Sequence, residues 1–287
     1  MSSIFGPAGN ADIFSKQGYK STLQAPEFVS KFGLDCYEYQ CGRGVRVSDE
    51  HAAAFKANAE KFGVSVSLHS PYYISLSSVE EEKRLKSVDY ILQSAAAVDK
   101  LGGNRVVVHS GSCSKISREQ ALEYAKDTIK KALATLDEQG LGHIHLCPET
   151  MGKINQLGTL DEVIALCGLD ERLIPCVDFG HLNARTLGGC NSAEQFAAVA
   201  DAIENDLGEY RAKHFHVHFS KIEYSTGGEK KHLTFEDEVY GPNFEPLGRL
   251  MAERDLSLNV ICESAGTQAE DALFMKQYYE SCVNANR

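Results

Sequence analysis

Residues 105–111 read RVVVHSG, a short β-branched run that stops at a histidine. Gly102-Gly103 precedes the run as a helix stop, and Ser117 follows it as a helix-capping residue. A short apolar run between helical segments is typical of a strand buried on both faces of a parallel sheet. The stretch therefore predicts a β/α unit whose strand ends at a polar side chain, His109.

The same alternation of a strand-like run and a helical pattern recurs along the whole chain. The predicted strands cover residues 3–9, 35–40, 64–69, 105–109, 143–149, 174–178, 214–220 and 258–263. The predicted helices cover residues 25–32, 48–62, 78–101, 117–140, 160–167, 192–207, 244–254 and 267–283. Eight such pairs in 287 residues predict an α/β fold, a single (β/α)8 TIM barrel spanning residues 1–287. A doubly wound open sheet is the competing fold.

Composition narrows the functional classes. The formal net charge of −11 argues against a general nucleic-acid coat protein, which needs a basic surface. No apolar run approaches the roughly 20 residues of a membrane span, and the N-terminus shows no signal-peptide pattern. The nine cysteines form no C-x-x-C motif, which favours reduced thiols. We expect a cytoplasmic monomer that does not contact a membrane.

Polar side chains end six consecutive predicted strands, three to eight. They are His69, His109, Glu149, Asp178, His218 and Glu263. Parallel strands in a barrel point their carboxyl ends to one rim, so these side chains are expected to converge. Imidazole and carboxylate ligands together suit Zn²⁺ or Mn²⁺, and the imidazoles favour zinc. This pattern also favours the barrel, because an open sheet concentrates its site at one switch point.

Each of these residues also has an ordinary structural interpretation. A single histidine after a strand is more often a hydrogen-bonded structural residue, and a single carboxylate there is more often a helix cap. Six at successive strand ends favour a metal site. In the seventh strand, His214, His216 and His218 share one face. We expect His218 to be the ligand, with His216 the second choice and His214 buried below the site.

The motifs around these residues resemble the endonuclease IV family, the zinc-dependent apurinic/apyrimidinic endonucleases. The matching pieces are LHSPYYISL at 68–76, VVVHSGS at 106–112, CPET at 147–150, VDFGH at 177–181, HVHFSK at 216–221 and ICES at 261–264. Their order and spacing carry the resemblance, which covers most of the chain between the third and eighth strands. It implies a TIM barrel with a trinuclear zinc site that hydrolyses the backbone of abasic DNA 5′ to the lesion.

The resemblance also implies roles for individual residues. His69 and His109 correspond to ligands of a first zinc, and Glu149 to the bridging carboxylate that orients the attacking water. The ligands that the resemblance implies for the other two ions are Asp178, His218 and Glu263 for the second and His181 and His232 for the third. Tyr72 matches a residue in a loop that inserts into DNA, and Arg43 follows strand two, where a DNA-probing residue is expected.

The chain departs from the family near the third zinc. The family pattern Asp-x-His reads Lys230-Lys231-His232 here, and Glu229 stands one residue out of register. The sequence therefore predicts two metal ions and leaves the third open. The FGPAGN segment at 5–10 also lacks the histidine usually found on the first strand of the family.

The main alternative is a sugar isomerase or epimerase of the xylose-isomerase-like barrel group. Those enzymes use a Glu, Asp, His, Glu quartet around one Mn²⁺ or Co²⁺, which Glu149, Asp178, His218 and Glu263 would supply. The net charge favours this alternative, whereas His69 and His109 favour a multi-metal phosphodiesterase. A barrel that keeps its metal only for stability, or that acts as a binding protein, is a third hypothesis.

Overall fold

The computed structural model describes residues 2–113 and 116–286, so the predicted domain limits, Met1 and Arg287, lie outside the described residues. Its strands are β1 (Ile4–Pro7), β2 (Cys36–Gln40), β3 (Ser65–His69), β4 (Arg105–His109), β5 (His145–Glu149), β6 (Cys176–Asp178), β7 (His216–Phe219), β8 (Ile222–Ser225), β9 (Gly228–His232) and β10 (Asn259–Cys262). Its helices are α1 (Asp12–Lys16), α2 (Ala25–Lys31), α3 (Asp49–Phe62), α4 (Glu81–Leu101), α5 (Arg118–Glu138), α6 (Leu160–Cys167), α7 (Phe179–Arg185), α8 (Ala193–Leu207), α9 (Glu209–His214), α10 (Glu245–Glu253) and α11 (Gln268–Ala285).

Eight parallel strands form one sheet in the order β1-β10-β7-β6-β5-β4-β3-β2. A parallel bridge between Ala8 and Glu38 brings the two ends of this order together, and the amide of Gly9 donates to the carbonyl of Glu38 over 3.0 Å. The strands therefore curl into a barrel surrounded by helices. The TIM-barrel prediction is confirmed.

Helix caps explain why the helices begin where they do. The hydroxyl oxygens of Ser48 and Ser117 accept hydrogen bonds from the first turns of α3 and α5, and Thr159 and Ser192 form full capping boxes. Each cap satisfies an otherwise unpaired amide and contributes about 1 kcal/mol. These caps fix the residues at which α3, α5, α6 and α8 begin.

The core lies between the sheet and the surrounding helices. Phe5, Phe219 and Phe244 are fully buried, and the rings of Phe219 and Phe244 meet edge to face with centroids 5.3 Å apart. Burying one such side chain contributes about 1.5–3 kcal/mol. All nine cysteines are free thiols, as the sequence predicted. Among the described residues, no helix combines the length and apolarity that crossing a membrane requires.

Three short helices, α1, α7 and α9, are absent from the prediction. Helix α7 begins directly after β6, because the side chain of Asp178 accepts a hydrogen bond from the amide of His181 over 2.7 Å. Helix α9 ends at His214, whose ring stacks on Tyr210 with centroids 4.5 Å apart. The expectation that His214 lies in the seventh strand, buried below the site, is therefore wrong. With five, seven and six residues, α1, α7 and α9 are too short to show a clear helical period.

The irregular segment at 221–243 contains the antiparallel hairpin of β8 and β9. The hairpin docks on the loop after β5, where the amide of Glu229 donates to the carbonyl of Gly152 over 3.1 Å. Gly228 adopts a left-handed φ of +90°, and a Cβ there would lie 2.2 Å from the same carbonyl oxygen. Only glycine fits this close approach, which holds β9 against the rim of the barrel.

Candidate metal centre

A cavity of about 440 Å³ opens at the carboxyl ends of the barrel strands. Its lining comes from β3, β4, β5, α7, β9 and the segment after β10. The residues that line it are His69, Tyr72, His109, Glu149, Met151, Lys153, Gln156, His181, Glu229, His232 and Glu263. Six of the eight predicted metal-binding residues line this cavity. The other two, Asp178 at the end of β6 and His218 in β7, lie close to Glu149 and Glu263.

The first ligand group consists of His69, His109 and Glu149, whose ligand atoms lie within 4.8 Å of one another. Nε2 of His109 lies 3.1 Å and Nε2 of His69 lies 3.5 Å from Oε2 of Glu149. Nδ1 of His69 lies 2.8 Å from the carbonyl oxygen of Ser70. This carbonyl can only accept, so it places the proton on Nδ1 and leaves the lone pair of Nε2 for a metal.

The second group consists of Glu149, Asp178, His218 and Glu263, again within 4.8 Å of one another. Nδ1 of His218 lies 3.1 Å from Oε1 of Glu149 and 3.5 Å from Oε2 of Glu263. Asp178, His218 and Glu149 are almost completely buried. This is the quartet that both enzyme hypotheses require, and the barrel brings its four members together.

Glu149 belongs to both groups because its two oxygens face different histidines. Oε2 faces His69 and His109, whereas Oε1 faces His218 at 3.1 Å and Nδ1 of His181 at 3.5 Å. A carboxylate in this position can hold two cations, one on each oxygen. The arrangement fits the bridging role that the sequence resemblance implies.

The third group consists of His181, Glu229 and His232. Oε2 of Glu229 lies 3.4 Å from Nε2 of His181. Nδ1 of His181 lies 2.9 Å from the carbonyl of Thr150, and Nδ1 of His232 lies 2.8 Å from the hydroxyl of Ser220. The carbonyl can only accept, so it leaves the Nε2 lone pair of His181 available for a metal. The contact with Ser220 occupies Nδ1 of His232.

Sequence reasoning set Glu229 aside because its register was wrong, and the structure corrects this point. The ladder of β8 and β9 pairs Glu223 with Lys231 and Tyr224 with Glu229, which leaves Lys230 as the extra residue of a β-bulge. A bulge interrupts the alternation of side chains along a strand. Glu229 consequently faces the cavity, whereas Lys230 and Lys231 turn outward and pair with Glu223.

The ligand set fits divalent metal ions for a physical reason. Within residues 2–113 and 116–286, Oε2 of Glu149 and Oδ2 of Asp178 are buried atoms with no aligned hydrogen-bond donor. Buried carboxylate oxygens without an aligned donor are costly, and a cation offsets that cost. The mixture of imidazoles and carboxylates is the ligand chemistry of zinc and manganese.

The carboxylates and histidines of the cavity shift one another's pKa values. Burial opposes the charge on Glu149, but contacts with His109, His218 and His69 hold the pKa of its carboxyl well below the usual range. Burial lowers the pKa of His69, but Glu149 outweighs burial and raises it to about 9. Burial similarly opposes Asp178 and Glu149 at His181, whose pKa is raised to about 9. Without metal, protons on the histidines therefore balance the carboxylates.

The pKa of Glu263 shifts in the opposite direction from that of Glu149. Burial raises the pKa of its carboxyl, His218 and His232 oppose this, and the charges of Glu149 and Asp178 raise it further. Three carboxyl groups crowded on one imidazole repel one another. A divalent ion on the second group would relieve that repulsion.

Sequence reasoning missed Glu38, a fully buried carboxylate of β2. Its oxygens lie 3.0 Å from Nε2 of His216 and 3.0 Å from Nε2 of His218. Burial opposes its charge, but His218 and His216 hold the pKa of Glu38 well below the usual range. The only signal in the sequence was an acidic residue inside a strand-like run. His216, the second-choice ligand, contacts Glu38 and does not line the cavity.

The two predicted DNA-contacting residues lie beside the cavity. Tyr72 is 60% exposed, and its ring lies nearly parallel to that of His109 with centroids 6.0 Å apart. Arg43 is exposed and close enough to Tyr72 to influence its phenol, whose pKa is raised chiefly by burial. Both side chains are therefore available to a ligand at the rim.

Comparisons with known proteins agree with this architecture. The model of the family described as xylose isomerase-like TIM barrel matches residues 26–278. The uncharacterized protein MJ0133 of Methanocaldococcus jannaschii is 34% identical over 277 residues, which cover 96% of this chain and 97% of that protein.

Two further similar proteins have names that indicate different activities. A probable endonuclease 4 of Thermoplasma acidophilum is 27% identical over 224 residues, covering 75% of this chain and 76% of that protein. The crystal structure of a D-tagatose 3-epimerase-like protein superposes with a TM-score of 0.71 at 19% identity, covering 91% of this chain and 93% of that one. At that identity the structural likeness shows the fold alone.

Proposed function

The chain belongs to the xylose isomerase-like TIM barrel family, and on that premise we propose that it is a metal-dependent phosphodiesterase resembling endonuclease IV. Its proposed substrate is DNA containing abasic sites, cleaved on the 5′ side of the lesion. Its proposed cofactor is zinc, two or three ions per chain, with manganese as the alternative. The single domain over residues 1–287, the cytoplasmic location and the monomeric state stay predictions.

The observation that carries this proposal is the presence of two ligand groups beyond the shared quartet. A single-metal isomerase needs Glu149, Asp178, His218 and Glu263, but it needs neither the pair His69 and His109 nor the group His181, Glu229 and His232. These additional imidazoles all surround one cavity and have their metal-facing nitrogens free of protein donors. A centre of several metals is the typical solution for phosphodiester hydrolysis.

The residues divide into those that would hold metal and those that would hold substrate. When bound, divalent ions would neutralise phosphate oxygens and lower the pKa of a water molecule. Glu149 would hold two ions in a fixed relation and accept a proton or hydrogen bond from that water. Tyr72 would pack against an exposed base or sugar, and the exposed Lys153 at the cavity wall would contact a phosphate.

A sugar epimerase or isomerase is the second candidate, favoured by specific observations. The quartet is complete, the cavity volume of about 440 Å³ is sufficient for a monosaccharide, and the net charge is −11. In that case Glu149 and Glu263 would exchange a proton with the carbon next to a carbonyl. One pair of assays separates the candidates: nicking of an abasic duplex oligonucleotide and epimerisation of a panel of ketoses, both with the zinc- and the manganese-loaded protein.

Nicking without epimerisation would support the phosphodiesterase, and the reverse would overturn it. Metal analysis gives an independent check, because the proposal requires at least two equivalents per chain. A metal-replete protein that holds one equivalent would favour the epimerase. Turnover of neither substrate class, together with a melting temperature that falls on chelation, would favour the non-enzymatic hypothesis.

A further inference from the structure

Glu38 lies beneath the candidate metal centre, on the inside of the barrel. Its side chain is fully buried, and four polar side chains surround it. The hydroxyl of Ser67 donates to Oε2 over 3.0 Å, and the side-chain amide of Gln40 donates to Oε1 over 3.2 Å. Nε2 of His216 contacts Oε2 at 3.0 Å, and Nε2 of His218 contacts Oε1 at 3.0 Å. A buried carboxylate with this many partners is held rigidly.

The ring of His218 lies between two carboxylates. Its Nε2 faces Glu38 below, whereas its Nδ1 faces Glu149 and Glu263 at the second ligand group. The contact with Glu38 has ion-pair distance without the alignment of a full hydrogen bond. A neutral imidazole carries its proton on one nitrogen and its lone pair on the other. A carboxylate at Nε2 favours the proton there, which leaves the lone pair on Nδ1.

We propose that Glu38 is a positioning residue that holds His218 with its proton on Nε2 and its Nδ1 lone pair directed at the second metal. His69 and His181 are oriented by the backbone carbonyls of Ser70 and Thr150. His218 differs, since a full negative charge lies behind its ring. A carboxylate behind a ligand histidine raises the basicity of the ligand and fixes its tautomer. This inference rests on the metal binding proposed above.

The test compares the Glu38→Gln variant with the wild-type protein and with Glu162→Gln as a matched control. Glutamine has nearly the same size as glutamate, so the barrel should keep its shape. Glu162 is another largely buried carboxylate, paired with Arg118 at 2.7 Å and outside every candidate ligand group. Zinc affinity is measured by competition with a chromophoric chelator, and the melting temperature is measured on chelated protein.

We expect Glu38→Gln to bind one zinc ion about 10- to 100-fold more weakly, the usual effect of removing an outer partner of a ligand histidine. The other ions should bind as in the wild type. Glu162→Gln should keep every zinc affinity while lowering the melting temperature. Circular dichroism confirms that both variants remain folded.

A second readout follows the tautomer of His218 directly. Long-range ¹H–¹⁵N spectra of the metal-free protein, recorded at a pH high enough for His218 to be neutral, distinguish protonated Nε2 from protonated Nδ1. A His218→Asn variant assigns the signal. We expect protonated Nε2 in the wild type and a mixture of tautomers in Glu38→Gln, because the glutamine amide can donate to Nε2. Unchanged zinc affinity and an unchanged tautomer in Glu38→Gln would overturn the inference. A wild-type protein that binds no zinc would instead overturn the proposed function.

Discussion

Oε2 of Glu229 lies 3.4 Å from Nε2 of His181, although simple alternation along β9 would turn Glu229 and His232 to opposite faces. Lys230 is the extra residue of a β-bulge, which interrupts the alternation between Glu229 and His232. A glutamate placed one residue earlier than the expected aspartate can thereby complete the third ligand group. The lysine at the expected position points to solvent and pairs with Glu223.

The first prediction concerns this third group. Glu229→Gln should lower the zinc content by about one equivalent, because the group then keeps only two imidazoles and loses its negative charge. Lys230→Gln is the control, and its zinc content should match the wild type. Equilibrium dialysis at fixed free zinc, followed by elemental analysis, measures both. Equal zinc contents in Glu229→Gln and wild type would remove Glu229 from the centre.

The second prediction concerns the carboxylate shared by two groups. Glu149→Gln should reduce nicking of an abasic duplex at least about 100-fold, since losing even an outer partner of a metal ligand costs 10- to 100-fold. The zinc content should fall as well, because Oε1 and Oε2 face different ligand groups. Steady-state nicking rates and zinc analysis on the same preparation provide the measurement. Retained nicking would show that Glu149 has no role in turnover.

The third prediction is a pH dependence of stability in the metal-free protein. Burial lowers the pKa of His69 and His181, but the nearby carboxylates raise both to about 9, above the 6.5 of a free histidine. A raised folded-state pKa contributes stability below pH 6.5, and this contribution is lost as the pH rises through 9. The melting temperature of chelated protein should therefore fall between pH 6.5 and 9.

The difference in melting temperature between zinc-loaded and chelated protein should increase with pH. Zinc must displace the protons of His69 and His181, so its stabilisation should increase over the same pH range. Thermal scans at pH 6.5, 7.5 and 9, with zinc and with chelator, test both trends. A chelated protein whose melting temperature rises toward pH 9 would contradict the assigned charges. His181→Asn should flatten the dependence.

The fourth prediction concerns the exposed aromatic residue at the rim. Tyr72→Ala should change the free energy of unfolding by less than about 0.5 kcal/mol, because the side chain is 60% exposed. If Tyr72 stacks on a nucleotide, KM for the abasic duplex should rise roughly 5- to 150-fold, the effect of losing about 1–3 kcal/mol of stacking.

Tyr73→Ala is the matched control for Tyr72. Tyr73 is 50% exposed, but it packs on Tyr90 with ring centroids 4.7 Å apart and does not line the cavity. Its KM should stay within about twofold of the wild type, an interaction energy of less than about 0.5 kcal/mol. Equal increases in KM for both variants would argue against a specific role for Tyr72.

The sequence predicted the strands closely, and the reason is visible at β4. Three consecutive β-branched valines between two helix signals favour a short buried strand, and the structure places Arg105–His109 there. Helix α7 was not predicted because it begins at the residue after β6, with no intervening loop that would mark a new element. His214 was wrongly assigned to the seventh strand because histidines at 214, 216 and 218 have the two-residue spacing of one strand face.

The candidate ligands were partly predictable for a similar reason. His69, His109, Glu149 and Asp178 each end a strand in the structure, so the end of an apolar run was sufficient to find them. Glu38 was not predictable in this way, because its partners His216 and His218 belong to a strand far along the chain. Glu229 was not predictable either, because a bulge depends on how two strands pair.

The amino-acid pattern by itself determined the alternation of strands and helices and the polar residues at the strand ends. Both are local properties, since hydrophobic periodicity and helix caps act over a few residues. The tertiary structure decided which oxygens of Glu149 face which histidines, that Glu38 lies behind His218, and that Glu229 joins His181. These relations depend on barrel closure and strand register, which join residues distant in sequence through contacts that no local pattern encodes.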